Sequence, residues 1–187
     1  MAVNFLKQYL RNPRSIGAIA PSSPALARAM VDAANLAAAQ VIVEFGPGTG
    51  VFTEELVARR RPGTRIIAIE LNPDFFRQLQ LRFAGVPDVD LVAGSAVDVA
   101  AIVQALGIDQ VDCVMSGLPL SSLPAPVSDA IVAATAQLLG HHGHFVLFQY
   151  SRYRRVMIER HFAWIKTRRV LANLPPAYVL SCSNAQH

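Results

Sequence analysis

Apolar positions along this chain alternate between two rhythms. Short, mostly apolar blocks at residues 41–44, 65–70, 89–92, 111–115 and 144–150 read as buried strands. Stretches of helical spacing lie between them, at 51–60, 72–83, about 97–106 and 126–139, with another at 24–34 ahead of the first block. Asn72-Pro73, with Asp74 in the first turn, marks a helix start. Pro62-Gly63, Gly85-Val86-Pro87 and the run Gly140 to Gly143 mark turns. The last part differs: a basic helix over 151–161, then strands 164–171 and 178–183 joined by Asn173-Leu174-Pro175-Pro176. Strands alternating with helices, followed by a hairpin, predict an α/β domain with helices on both faces of a mostly parallel sheet and an antiparallel edge. No repeat or linker interrupts the pattern, so residues 1–187 are expected to form a single domain.

Ahead of that domain, residues 1–11 space their apolar side chains as a short amphipathic helix, stopped by Asn12-Pro13. Periodicity favours a helix packed on the domain. The alternative is an interfacial helix, with Phe5, Leu6 and Tyr9 entering a headgroup boundary while Lys7, Arg11 and Arg14 meet anionic lipid. Residues 15–23 read as a loop, in which Ser22 or Ser23 caps the next helix or the loop folds over a ligand.

Composition narrows the class. The chain is 52% hydrophobic, enough for a substantial core. It has no uncharged apolar run of about 18 residues, so no spanning helix is predicted, and its start lacks the apolar core of a secretory signal. Cys113 and Cys182 have neither metal nor redox spacing and read as buried, reduced thiols, which implies a cytoplasmic protein. The net charge is +4, and all the basic residues except Lys7 and Lys166 are arginine. Such a balance suits nucleic acid, an anionic membrane, or simply a solvated basic face.

The candidate chemistry centres on Glu44-Phe45-Gly46-Pro47-Gly48-Thr49-Gly50, a strand running through a glycine turn into a helix. The glycines permit a sharp bend and close approach to a ligand. Glu70 ends the next strand about 20 residues on, where an acid can accept ribose hydroxyls. The third strand ends in Gly94-Ser95-Ala96 and the fourth in Ser116-Gly117-Leu118-Pro119, so four loops converge on one crevice. An acid just before the glycines disfavours a phosphate and suits a ligand bearing an ammonium group. No Walker lysine follows, which counts against ATP. The histidines His141, His142 and His144 sit at a turn away from that edge and read as solvated.

These four motifs resemble those of class I S-adenosylmethionine-dependent methyltransferases. The resemblance implies a seven-stranded sheet with an antiparallel last strand. It implies that Gly46, Pro47, Gly48 and Gly50 carry the methionine part beside Glu44. Glu70, with Leu71 and Asn72, takes the ribose. Gly94, Ser95 and Ala96 border the adenine, and Ser116, Gly117 and Leu118 line the methyl-transfer end. Two families are similar. The rRNA adenine dimethyltransferases share the early motifs, but their Asn-Leu-Pro-Tyr base clamp corresponds here to Ser116-Gly117-Leu118-Pro119-Leu120, and this chain is expected to lack their C-terminal helical domain. The soluble bacterial phospholipid N-methyltransferases are similar over nearly the whole chain, including Arg11-Asn12-Pro13-Arg14-Ser15 through Pro21-Ser22-Ser23. That second resemblance implies methylation of phosphatidylethanolamine and its methylated intermediates towards phosphatidylcholine, with S-adenosylhomocysteine as the other product. It also implies an interfacial role for residues 1–14 at the inner face of the cytoplasmic membrane, and adds Ser22 and Ser23 as cofactor contacts. No metal and no nucleic acid are expected. Aromatic faces at Tyr9, Tyr150, Tyr153 and Tyr178 could hold methylated ammonium groups, with Tyr150 and Ser116 as the catalytic candidates. Arg152, Arg154 and Arg155 could meet lipid phosphate. The rival readings are methylation of rRNA adenine or of a small-molecule amine, and a silent lipid- or cofactor-binding protein.

Overall fold

The computed structural model describes residues 22–150 and 155–185. Helix α1 (Pro24–Ala33) leads into β1 (Val41–Phe45), followed by α2 (Val51–Arg59), β2 (Arg65–Glu70), α3 (Pro73–Arg82) and β3 (Val89–Ala93). After a 3-10 turn (Ala96–Asp98) come α4 (Val99–Ala105), β4 (Cys113–Ser116), α5 (Ala125–Leu139), β5 (His144–Gln149), α6 (Arg155–Glu159), β6 (Trp164–Val170) and β7 (Ala177–Ser183). Within the described residues the elements predicted from periodicity are present, and their ends differ from expectation by a residue or two in most cases; the helix expected over residues 1–11 lies outside the described residues. The predicted helix over 97–106 splits, because the Val97 N–H donates to Ser95 Oγ at 3.3 Å and tightens its first turn. Of the basic stretch 151–161, only Arg155–Glu159 is helical among the described residues.

The seven strands form one sheet in the order β3-β2-β1-β4-β5-β7-β6. The first five pair in parallel. Strand β7 is antiparallel to both of its neighbours, β5 and β6. The last strand is thus antiparallel, as expected, and the hairpin is placed with its second strand inside and its first at the edge. The side chains explain the choice. Strand β7 buries Val179, Leu180 and Cys182 on both faces, whereas β6 carries Lys166, Arg168 and Arg169, which suit an edge exposed to water. Because both pair antiparallel with β7, β6 runs parallel to β5. The β6–β7 loop thus lies on the edge where β1, β4 and β5 end.

Side-chain alternation divides the core in two. Val43, Phe45, Ile67, Val114 and Leu147 pack on the α4–α6 face. Ile42, Ile66, Met115, Val146 and Phe148 pack on the face covered by α1 and α2. By the same alternation Glu44 lies on the α1–α2 face, while Ser116 and Gln149 lie on the other. Strand order reverses between β1 and β4, and at such a switch point the loops part to leave a crevice.

At the opposite end of the sheet the arginine-rich turn after α2 holds loops together. Arg60 donates to the Thr64, Pro87 and Asp88 carbonyls, and Arg61 donates to the Ala37 carbonyl at 3.0 Å.

Candidate active site

The switch point is assembled from backbone. The Gly117 N–H donates to the Phe45 carbonyl at 2.8 Å, and the Gly46 N–H to the Ile69 carbonyl at 2.9 Å. A Cβ on Gly117 would stand 2.6 Å from the Gly46 carbonyl oxygen, so this close approach requires glycine. Leu118 closes over Gly46, where a Cβ would fall 2.4 Å from its Cδ2. Gly48 is different. Its φ is +57°, and a Cβ there would meet nothing within 4 Å. The left-handed turn at Gly48 therefore presents backbone to open space. Gly50, also left-handed at φ +83°, starts α2 without a side-chain cap.

The two acids behave differently. Glu44 is fully buried. Its Oε2 accepts from the Thr53 hydroxyl at 2.7 Å, and its Oε1 has no hydrogen-bond partner among the described residues. Burial pushes its pKa up to about 8; the Thr53 bond opposes this and nearby Glu70 adds to it. A carboxylate held this way is short of one donor and one positive charge. Glu70 links the loops instead: Oε2 accepts from the Gly48 N–H at 3.0 Å and Oε1 from the Asn72 N–H at 2.7 Å. Burial raises its pKa, while bonds from the Asn72, Gly48 and Leu71 amides pull it down. With three amides on its two oxygens, one lone pair remains for a hydroxyl donor.

The neighbouring motif residues shape this frame. Asn72 caps α3, accepting from the Asp74 N–H at 2.8 Å and the Phe75 N–H at 3.3 Å. Leu71 is half-buried and Pro47 buried beside the turn. The Gly94 N–H donates to the Glu70 carbonyl at 3.0 Å. Ser95 is buried and caps the 3-10 turn, and Ala96 joins the core. Ser116 is buried and its Oγ accepts from the Leu118 N–H at 3.3 Å, which fixes the β4 loop. Ser22 is half-buried. The Ser23 hydroxyl is engaged twice elsewhere: it caps α1 by accepting from the Leu26 N–H at 3.1 Å and donates to the Ala172 carbonyl at 2.9 Å.

The substrate-side candidates separate. Tyr150 packs edge-on to Phe148, ring centroids 5.5 Å apart, on the α1–α2 face. Burial raises its phenol pKa, with the Asn173 amide acting in the opposite direction. Tyr178 lies on the other face, with the Arg169 guanidinium 5.8 Å from its ring centre. Arg155 is paired with Glu159 at 2.7 Å, one turn along the same helix. Phe5, Leu6, Lys7, Tyr9, Arg11, Arg14, Arg152, Tyr153 and Arg154 lie outside the described residues. His141 and His142 are exposed at the α5–β5 turn, on the edge opposite the crevice. Cys113 and Cys182 are buried free thiols, both pushed up to about 12 by burial.

Three residues were not singled out from sequence. Thr53 anchors Glu44, nine positions on in the first turns of α2. Gln149 ends β5 almost fully buried, with neither carboxamide atom hydrogen-bonded among the described residues. A glutamine closing the apolar run His144 to Gln149 was the signal that could have exposed it. Asn173 accepts from the Ser23 N–H at 3.0 Å and donates to the Pro175 carbonyl at 2.8 Å, a pairing 150 residues apart that no local pattern reveals.

These groups fit a ligand that joins an amino acid to a nucleoside: an orphaned buried carboxylate oxygen for its cation, open space over Gly48, and a second carboxylate at the end of β2. The likenesses to known proteins agree. Residues 21–162 match the family described as ribosomal RNA adenine dimethylase. An ornithine lipid N-methyltransferase of Singulisphaera acidiphila is 36% identical over 184 residues, covering 95% of this chain and 93% of that protein. Ribosomal RNA small subunit methyltransferase A of Thermotoga maritima is 36% identical over 89 residues, 47% of this chain and 31% of that protein. In fold, the chain is similar to the N-methyltransferase NodS of Bradyrhizobium japonicum in complex with S-adenosylhomocysteine, with a TM-score of 0.68 over 85% of each chain at 13% identity.

Proposed function

The chain belongs to the ribosomal RNA adenine dimethylase family of S-adenosylmethionine-dependent methyltransferases, and on that premise we propose that it methylates the amine of a membrane aminolipid. Phosphatidylethanolamine and its methylated intermediates are the substrates read from the sequence; ornithine lipid, named for the relative, carries the same kind of acceptor. The observation that carries this reading is the end-to-end match to a lipid N-methyltransferase, against a match to about a third of the Thermotoga maritima rRNA enzyme. The β4 loop supports it. Ser116 and Leu118 are buried there in fixing the turn, and the loop offers neither the amide nor the aromatic ring that clamps a nucleobase. Residues 1–11, outside the described residues, carry the sequence spacing expected of an interfacial helix and would supply the membrane contact on this reading.

S-adenosylmethionine supplies a methyl group already activated on a sulfonium, so the protein contributes orientation and a dry site. Glu44 Oε1 would accept from the ligand's ammonium, with the glutamate's own proton released to solvent as it ionises. The lone pair left on Glu70 would accept from a ribose hydroxyl. Leu118 and the Gly46–Gly117 contact exclude water between β1 and β4. The acceptor amine must arrive neutral, because an ammonium has no lone pair to attack with. Gln149 lies on the Ser116 face, two residues beyond the level at which β5 pairs with Ser116. Its Oε1 accepts an N–H of the neutral amine and so fixes the direction of the nitrogen lone pair.

The test uses labelled S-adenosylmethionine with three acceptors in parallel: vesicles containing phosphatidylethanolamine, vesicles containing ornithine lipid, and total RNA. Label entering lipid is the expected result. Label entering RNA and neither lipid would overturn the reading.

A further inference from the structure

We propose that the β6–β7 hairpin tip is a second membrane-contact element, which docks the crevice edge of the protein on an anionic lipid surface. Leu171 and Leu174 sit in this loop 69% and 84% exposed. The loop has a defined shape: Asn173 is buried, donates to the Pro175 carbonyl and accepts from the Ser23 N–H, while Ser23 donates to the Ala172 carbonyl. Two leucines are thus held outward on a loop fixed by the Asn173 side chain and by bonds to the Ala172 and Pro175 carbonyls. Beside them runs a shallow groove whose lining includes Arg28, Arg168, Arg169, Leu171 and Ala172, with Asp32 as its single acid. Arg28 is exposed, and Arg168 stays two-thirds exposed despite its 3.4 Å contact with Asp32.

The occupant follows from charge. Residues 1–31 carry Lys7, Arg11, Arg14 and Arg28 and no acid. Residues 160–187 carry Arg160, Lys166, Arg168 and Arg169 and again no acid. Between them, residues 32–159 hold nine basic and thirteen acidic side chains. The entire positive excess of the protein therefore belongs to its two terminal segments. Among the described residues, the Ser23 bonds to Ala172 and Asn173 bring α1, with Arg28, against the end of β6, with Arg168 and Arg169. Protruding leucines flanked by guanidinium groups match a lipid interface: the apolar tips reach the acyl boundary while the arginines meet phosphates. Because β6 runs parallel to β5, this tip stands on the edge where β1 and β4 end. Docking through it turns the crevice towards the bilayer, where a headgroup can enter. The functional use of the surface rests on the aminolipid reading; the surface itself does not.

The experiment measures partition of the full chain onto vesicles with and without anionic lipid. The Leu171→Ser/Leu174→Ser variant is expected to lose about tenfold or more in partition, as two exposed leucines no longer bury apolar area. Arg168→Gln and Arg169→Gln are each expected to lose about fivefold on anionic vesicles at low salt and to change little on zwitterionic ones. Leu81→Ser is the control: Leu81 is 83% exposed near the end of α3, at the opposite edge of the sheet, and its removal leaves partition unchanged. S-adenosylhomocysteine affinity and melting temperature, unchanged in the tip variants, certify that they fold. Unchanged partition in the double leucine variant would overturn the proposal, as would arginine variants that lose RNA binding and keep vesicle binding. Vesicle binding that depends on the tip, without label entering any lipid, would sink the aminolipid reading and leave the docking surface standing. Wild-type partition in the tip variants together with lipid methylation would do the reverse.

Discussion

Glu44→Gln tests whether the buried acid before the glycine turn is protonated until a cationic ligand arrives. In the unfolded chain this glutamate ionises near 4.5; in the folded protein its pKa is pushed up to about 8. Between those values the native state binds a proton that the unfolded chain has released. Stability from this group is therefore fully present below the unfolded pKa and is lost as pH rises through the window towards the folded one. A gap of about 3.5 units at about 1.4 kcal/mol per unit bounds the loss at about 5 kcal/mol. At about 2–4 °C per kcal/mol for a chain of this size, the bound is a shift of about 10–20 °C, and relaxation around the site will reduce it. Glutamine keeps an oxygen for the Thr53 hydroxyl and has no proton to lose. Thermal melts of the ligand-free protein from pH 5 to pH 8.5 should show variant and wild type close together at pH 5 and the variant increasingly more stable towards pH 8. Cofactor affinity should move the other way. Loss of one charged hydrogen bond is worth about 1.5–3 kcal/mol, so S-adenosylhomocysteine should bind at least tenfold more weakly to the variant at pH 8 by calorimetry. A melting-temperature difference that stays constant across the range would refute the protonated-acid argument.

Four further substitutions probe the frame. Gly48→Ala should cost the fold about 1–2 kcal/mol for its left-handed φ, since a Cβ meets nothing there, yet lower S-adenosylhomocysteine affinity by a larger factor because that space belongs to the ligand. Gly117→Ala should do more damage to the fold, about 2–3 kcal/mol by thermal melt, because its Cβ strikes the Gly46 carbonyl rather than a flexible side chain. Gln149→Leu should raise stability by about 1–3 kcal/mol by removing a buried amide with no partner among the described residues, and should lower kcat for methyl transfer without weakening S-adenosylhomocysteine binding; unchanged kcat would remove Gln149 from the acceptor site. Ser23→Ala should cost about 1 kcal/mol for the lost helix cap, read from the melt.

Local chemistry made much of this protein legible in one dimension. Strand and helix periods, the Asn72 cap with Pro73, and the glycines before α2 act through neighbours within a few residues, so the pattern alone yields the element order and the loops that carry the cofactor. The acid at position 44 and the acid at position 70 named the kind of ligand by the same local logic. Other features depend on residues far apart in the chain. That β7 rather than β6 takes the interior was decided by which strand could bury both faces beside β5. That Glu70 grips the Gly48 amide, and that Glu44 keeps one oxygen unpartnered beneath Thr53, follows from packing that brings strand ends and helix starts together. The sequence predicts that Ser23 caps α1 as well as touching the cofactor; it does cap α1, and in the fold its hydroxyl also ties α1 to the β6–β7 loop across about 150 residues. That tie makes one basic surface out of two distant segments, because charge adds through space and not along the chain. The sequence by itself determined the elements and the cofactor; tertiary structure decided which polar atoms are left for ligands and which edge the arginines and exposed leucines share.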